Sequence, residues 1–112
     1  MNLRAHEFGT DTVISVLEPR IDAALAIRFK DRVRDLAPDS AKRVVLDLSE
    51  VDFVDSSGLG AIVAVMKLLA PATSLELCGM GTTVAKVFSL TRMDRVFAIH
   101  ESVADAVPGA RA

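Results

Sequence analysis

Two adjacent serine hydroxyls stand between an aspartate and a Gly-Leu-Gly step in Asp55-Ser56-Ser57-Gly58-Leu59-Gly60. The run lies where a short extended stretch, Val51-Asp52-Phe53-Val54, gives way to an apolar helix predicted over 57–69. A helix N-terminus carries unpaired N–H groups and a partial positive charge, so it receives a carboxylate or a phosphate well. Two kinds of chemistry are open to serines placed there. They can cap the helix, a duty that Asp55, Ser56 or Ser57 could each perform. Alternatively, one of them can accept a phosphoryl group, which adds roughly −1.5 to −2 charges at neutral pH.

Other chemistries fit less well. A catalytic serine needs a base within hydrogen-bond reach. The only histidines, His6 and His100, stand beside strand ends far from the loop in sequence. The run is not the Gly-x-Ser-x-Gly elbow of hydrolases. No acid–base pair accompanies the serines, so the chain reads as a non-enzyme. Val63 stands where a dinucleotide fingerprint needs glycine or alanine, and the lysine and spacing of a P-loop are missing. Gly79-Met80-Gly81-Thr82, between a strand and a helix, could cradle an anion or nucleotide, but a tight turn is the stronger reading. Cys78 is the sole cysteine and reads as a small buried hydrophobe, which excludes an internal disulfide or a multi-cysteine metal site. Asp47 either ends a strand in solvent or helps organise the serine loop. No cofactor and no metal are expected.

The elements that must position the loop follow from periodicity. Residues 3–8 and 12–17 read as strands around the turn Gly9-Thr10-Asp11, and Glu18-Pro19-Arg20 ends the second. Asp22 reads as the N-cap of an amphipathic helix with Leu25, Phe29, Val33 and Leu36 inward. Ala37-Pro38-Asp39-Ser40 stops it. Arg43 to Leu48 is nearly continuous in apolar residues and suits a central strand covered on both faces. After the serine helix come a strand over 75–78, a helix over 83–90, a last strand over 96–99 and a short helix over 102–107. Strands alternating with helices argue for parallel strands with helices packed on them, and the opening hairpin makes the sheet mixed.

The serine helix is unusual. From Leu59 to Ala70 only Lys67 is polar. Leu59, Ile62, Val63, Met66 and Leu69 form the expected core stripe, while Ala61, Ala64, Val65 and Leu68 occupy the other side. A helix apolar all round has a second partner: either a neighbouring helix of the same domain or another protein.

Bulk numbers bound the rest. With 112 residues and 51% hydrophobic content the chain reads as one packed domain over 1–107, with a frayed tail over 108–112. Thirteen basic residues against fifteen acidic ones leave no electrostatic footprint for nucleic acid. The N-terminal residues hold no apolar signal core, and the stretch from Leu59 to Ala70 is far short of the roughly 20 residues that span a bilayer. A cytoplasmic protein without direct membrane insertion is expected.

Val51-Asp52-Phe53-Val54-Asp55-Ser56-Ser57-Gly58-Leu59-Gly60 closely resembles the signature of the STAS domain, as found in bacterial anti-sigma factor antagonists. Arg20-Ile21-Asp22-Ala23-Ala24, Val84-Ala85-Lys86-Val87-Phe88 and Met93-Asp94-Arg95-Val96-Phe97 support the match, which spans roughly residues 5–105. Pro19 departs from it, near where many members carry glycine. The resemblance implies the STAS fold: α/β, with a mixed four- to five-stranded sheet, an opening β-hairpin and about four helices. It implies a phosphoprotein of a partner-switching pathway in transcription regulation. Such an anti-anti-sigma factor binds an anti-sigma factor that is also a serine kinase and is released when that kinase phosphorylates it. A metal-dependent serine phosphatase resets the system. By position, Ser56 is the implied phosphoacceptor, with Ser57 second, and Asp22, Asp55, Ser56, Ser57, Gly58, Leu59, Gly60, Ala61 and Ala64 are the implied partner-binding residues. Gly58 would let the backbone approach the partner closely. Two alternative functions remain open. The chain could be a STAS subunit regulating a membrane transporter ATPase or another non-sigma output, or a nucleotide-binding module using Gly79 to Thr82; its apolar helix face could also support a weak homodimer.

Overall fold

The computed structural model describes residues 1–110. The chain runs through β1 (Leu3–Phe8), β2 (Asp11–Val16), β3 (Arg20–Ile21), α1 (Ala26–Leu36), β4 (Arg43–Asp47), β5 (Phe53–Val54), α2 (Ser56–Leu69), β6 (Ser74–Cys78), α3 (Thr82–Leu90), β7 (Ile99–His100) and α4 (Val103–Ala106). Five strands form one mixed sheet in the order β1-β2-β4-β6-β7. The β1–β2 hairpin is antiparallel, turning at Gly9 with φ +65°, and every other pair in this sheet is parallel. The expected mixed α/β fold is therefore present.

Side-chain alternation divides the core in two. Ile14, Val16, Val44, Leu46, Leu75 and Leu77 face α1, α2 and α3, where Phe29, Val33, Ile62, Val65, Val84 and Phe88 are buried. On the other face Val13, Val45 and Cys78 meet Ala106 and Val107 from the C-terminal segment. Both faces of β4 are thus covered, which accounts for its unbroken Val44-Val45-Leu46 run.

A polar ladder crosses this second face. Arg43 on β4 donates from Nε and Nη2 to the two carboxylate oxygens of Asp11 on β2, at 3.2 and 2.9 Å. Its Nη1 donates to Glu76 Oε1 on β6 at 3.1 Å, and the same oxygen lies 2.7 Å from His100 Nε2 on β7. Four adjacent strands are therefore tied by side chains as well as by backbone. Arg43 supplies the two-pronged geometry that lysine cannot.

Several expected boundaries shift, each for a physical reason. Asp22 does not cap α1, which begins four residues later at Ala26. Its carboxylate instead accepts the Ala24 N–H at 3.1 Å and its carbonyl the Leu25 N–H at 3.0 Å, closing a turn ahead of the helix. The last strand is Ile99–His100 rather than 96–99. Arg92 takes a left-handed conformation (φ 61°) and Met93–Arg95 coil into a 3-10 turn. That turn sends Phe97 into the core, edge-on to Phe88 at 6.1 Å. At the C-terminus Pro108–Ala110 form another 3-10 turn, with Ala110 packed against the second core; Arg111 and Ala112 of the expected frayed tail lie outside the described residues. Among the described residues no helix is long and apolar enough to cross a membrane.

The ladder makes a pH prediction. The Arg43 guanidinium holds the Asp11 carboxyl below its ordinary value of 3.8, against the opposing pull of desolvation. A depressed folded value means that the stabilisation is complete above 3.8 and is lost as pH falls through the lower folded value. The urea midpoint should drop on acidification below 3.8, and Asp11→Asn should flatten that drop. Parallel curves for the two proteins would exclude the pair as its source.

Candidate functional site

The serine loop is built by a small second sheet that the sequence did not announce. Arg20–Ile21 (β3) pairs in parallel with Phe53–Val54 (β5), Ile21 opposite Val54. The Pro19 carbonyl accepts the N–H groups of Asp52 and Phe53 at 2.8 and 3.2 Å, and the Ile21 carbonyl accepts that of Asp55 at 3.3 Å. Proline fits here because this edge requires its carbonyl and not a donor. The Arg20 guanidinium lies 4.3 Å from the centre of the Phe53 ring and bonds Asp22 through Nε at 3.3 Å. The segment before α1 and the segment before α2 are thereby one unit.

Asp55 fastens that unit. It stands at the N-cap of α2 in an extended conformation, and its Oδ1 accepts the Gly58 N–H at 2.8 Å. Its Oδ2 accepts the Ala23 N–H at 3.2 Å. One oxygen caps the helix and the other holds the loop leading to α1. Of the three candidates for the cap, Asp55 performs it. Ser56 and Ser57 are thus the first two residues of α2, exposed and free of the capping role.

Gly58 serves the domain rather than a visitor. It is buried, and a Cβ at this position would overlap the Ile21 carbonyl oxygen and lie 2.8 Å from its carbon. The expectation that Gly58 admits a partner's backbone is therefore corrected: the close approach is to β3 of the same chain. Gly60 is exposed, with open space around its Cα.

The stripe along α2 is also rotated from the expected one. The buried residues are Gly58, Ala61, Ile62 and Val65, while Leu59, Val63, Met66 and Leu69 are half-buried at its margins. Ala61 and Val65, expected on the outer side, face inward because α1 packs along α2 and makes that side part of the core. A neighbouring helix thus covers most of the surplus apolar surface. What remains open is a shallow groove of 150 Å³ between the helices, lined by Ala26, Ile27, Lys30, Ser57, Ala61 and Ala64. Ile27 is 73% exposed and Leu68 51% exposed, so an apolar surface does begin at the serines.

The other candidates are placed elsewhere. His6 and His100 both stand on the sheet face turned away from α2, and His100 is engaged with Glu76, so neither can activate Ser56. Gly79 makes the tight turn, with φ +74° and the Asp47 carboxylate 2.8 Å from where a Cβ would lie. Asp47 closes its own strand end by accepting the Ser49 N–H at 3.0 Å. The hollow at the start of α3 measures 160 Å³ and has Asp52 in its wall. It is small beside most ligand pockets, and a carboxylate in its wall is unfavourable to phosphate. Cys78 is fully buried, and burial, with Asp47 adding to it, pushes its thiol up to about 12, so it is no nucleophile. No cluster of three or more His, Cys, Asp or Glu side chains among the described residues could hold a metal ion.

Sequence reasoning missed the second tether of Asp55 and the Arg20–Phe53 stack. Residue type signalled a cap at Asp55, Ser56 or Ser57 without choosing among them. Nothing local signalled a bond to Ala23, 32 positions away.

Comparison with known proteins agrees with this architecture. The STAS domain family model matches residues 2–106. RsfB of Mycobacterium tuberculosis, an anti-sigma-F factor antagonist, is 24% identical over 91 residues, covering 81% of this chain and 75% of that protein. The anti-sigma-B factor antagonist of Listeria monocytogenes is 27% identical over 100 residues, covering 88% of each. A crystal structure of an anti-sigma factor antagonist from Mycobacterium paratuberculosis superposes with a TM-score of 0.84 at 25% identity, covering 99% of this chain and 94% of that one.

Two substitutions test the loop's construction. Gly58→Ala gains about 1 kcal/mol in helix propensity, yet it should lose about 1–3 kcal/mol net through overpacking against Ile21. Asp55→Ala should cost about 1–2 kcal/mol as a lost cap and should speed hydrogen exchange at the Ala23 amide. Urea denaturation and amide exchange read both effects. Unchanged protection at Ala23 would remove the second tether from the account.

Proposed function

The chain belongs to the STAS domain family, and on that premise we propose that it acts as an anti-sigma factor antagonist switched by phosphorylation of Ser56. The observation that carries the reading is the division of labour in the loop. Asp55 caps the helix, so Ser56 stands exposed at the first position of α2 with no structural duty to lose. The names of the Mycobacterium tuberculosis and Listeria monocytogenes relatives point to the same role.

In this scheme the unmodified protein binds an anti-sigma factor that is also a serine kinase. Asp22, Asp55, Ser56, Ser57 and Gly60 offer the polar part of the contact. Ala64 and the groove beside it, floored by Ala61, offer the apolar part, and Leu59 supports the surface from below. The kinase transfers a phosphoryl group from ATP to the Ser56 hydroxyl, releasing ADP and a proton. The helix N-terminus tolerates the new charge, so the fold persists. A partner that had packed against the bare hydroxyl does not tolerate it, because a desolvated or like-charged group in an interface costs several kcal/mol. About 1.4 kcal/mol is already a tenfold change in affinity. A metal-dependent serine phosphatase then restores the binding form.

Ser56→Ala should stay bound to the cognate kinase in the presence of ATP, and Ser56→Asp should bind about a hundredfold more weakly. Isothermal titration of both variants, with intact-mass analysis of the wild-type chain after incubation with kinase and ATP, decides the matter. Equal affinity of the two variants would defeat the switch. A phosphate found on Ser57 would move the acceptor by one residue.

A further inference from the structure

The open groove between α1 and α2 has a chemistry of its own. Ala26, Ile27 and Lys30 of α1 face Ser57, Ala61 and Ala64 of α2 across it. Half of these side chains stop at Cβ, and the hollow of 150 Å³ between the helices is the space they leave. Ile27 stands 73% exposed beside it. The space suits a single aliphatic side chain rather than a free small molecule.

One cation lines the groove. Lys30 is half-buried and forms no ion pair among the described residues. The carboxylates around it are engaged elsewhere. On α1, Asp31 lies 3.3 Å and Asp35 3.9 Å from Arg34. α2 carries no acidic residue from Ser56 to Leu69, and its one charged side chain is the exposed Lys67. At the serine end, Asp55 accepts the Gly58 and Ala23 amides, and Asp22 accepts the Ala24 amide and pairs with Arg20. Asp39 follows beyond the end of α1. The unmatched charge beside the groove is therefore positive. A half-buried ammonium without a counter-ion is ready for a charge-assisted bond to an incoming carboxylate.

We propose that Lys30 selects the partner: the anti-sigma factor seats one aliphatic side chain on Ala26, Ala61 and Ala64 and sets a carboxylate on the Lys30 ammonium beside it. The inference rests on the docking surface of the preceding subsection and adds the chemistry that the partner must carry there. An anti-sigma factor with lysine or arginine at that place meets like charge and is refused.

The test uses the full-length chain and the kinase that phosphorylates it, with affinity read by isothermal titration. Lys30→Glu should bind about tenfold more weakly. Lys30→Met, which keeps the stem and removes the charge, should lose less and should flatten the salt dependence of binding. Arg32→Glu makes the same change of charge on the same helix outside the groove and should stay within about twofold of wild type. In a scan of the kinase's Asp and Glu residues to Lys, one reversal should restore the binding of Lys30→Glu and weaken that of the wild-type chain. Wild-type affinity of Lys30→Glu, equal losses in Lys30→Glu and Arg32→Glu, or a scan with no restoring reversal would each overturn the proposal and leave the switch at Ser56 standing. If no kinase binds or phosphorylates the chain, the reading of the surface falls and this inference falls with it.

Discussion

Everything at the serine loop depends on a single carboxylate. Asp55 joins two stretches of chain that are 32 residues apart, one oxygen on the Gly58 N–H and the other on the Ala23 N–H. A capping residue ordinarily settles only the end of its own helix. Here the same group also fixes the loop that leads into the neighbouring helix. The α1–α2 pair, the groove between them and the position of both serines inherit their geometry from it. The parallel pairing of β3 with β5 and the seating of Gly58 on Ile21 reinforce the same junction from below.

The two faces of the sheet are stabilised in different ways. Toward the three long helices the packing is apolar but for Thr12, with Ile14, Leu46, Ile62, Leu77 and Phe88 fully enclosed. On the other face a short helix suffices, because the Asp11–Arg43–Glu76–His100 ladder binds the strands where side-chain packing is thin. Such partly exposed ion pairs contribute little singly. Their value here is in continuity across four strands, which fixes register from β2 to β7 on a face with few apolar contacts.

Much of this was legible in the sequence. The strand–helix alternation, the β1–β2 hairpin and the start of α2 follow from period and turn chemistry, and Asp55 was among the residues able to cap. What was not legible depended on distant partners. Arg20–Ile21 and Phe53–Val54 are each too short to show a period, and they become strands only by pairing with one another. Asp22 has the right residue type for a cap, but a local turn claims its carboxylate first. The burial of Ala61 and Val65 follows from how α1 lies across α2, a tertiary choice that no helical wheel contains. The serine motif itself was read from its resemblance, and the structure added the reason its hydroxyls are spare.

Gly58 carries a consequence for any enzyme that acts at the loop. Its backbone is pressed so closely onto Ile21 that the first turn of α2 cannot lift away without taking β3 with it. The hydroxyl of Ser56 is therefore presented as a point on a rigid, folded relief rather than on a strand that could be drawn into a cleft. An isolated peptide copying residues 51–60 would keep every side chain of the motif and lose the surface on which they are arranged. Recognition of this site is recognition of a shape assembled from two distant stretches of chain.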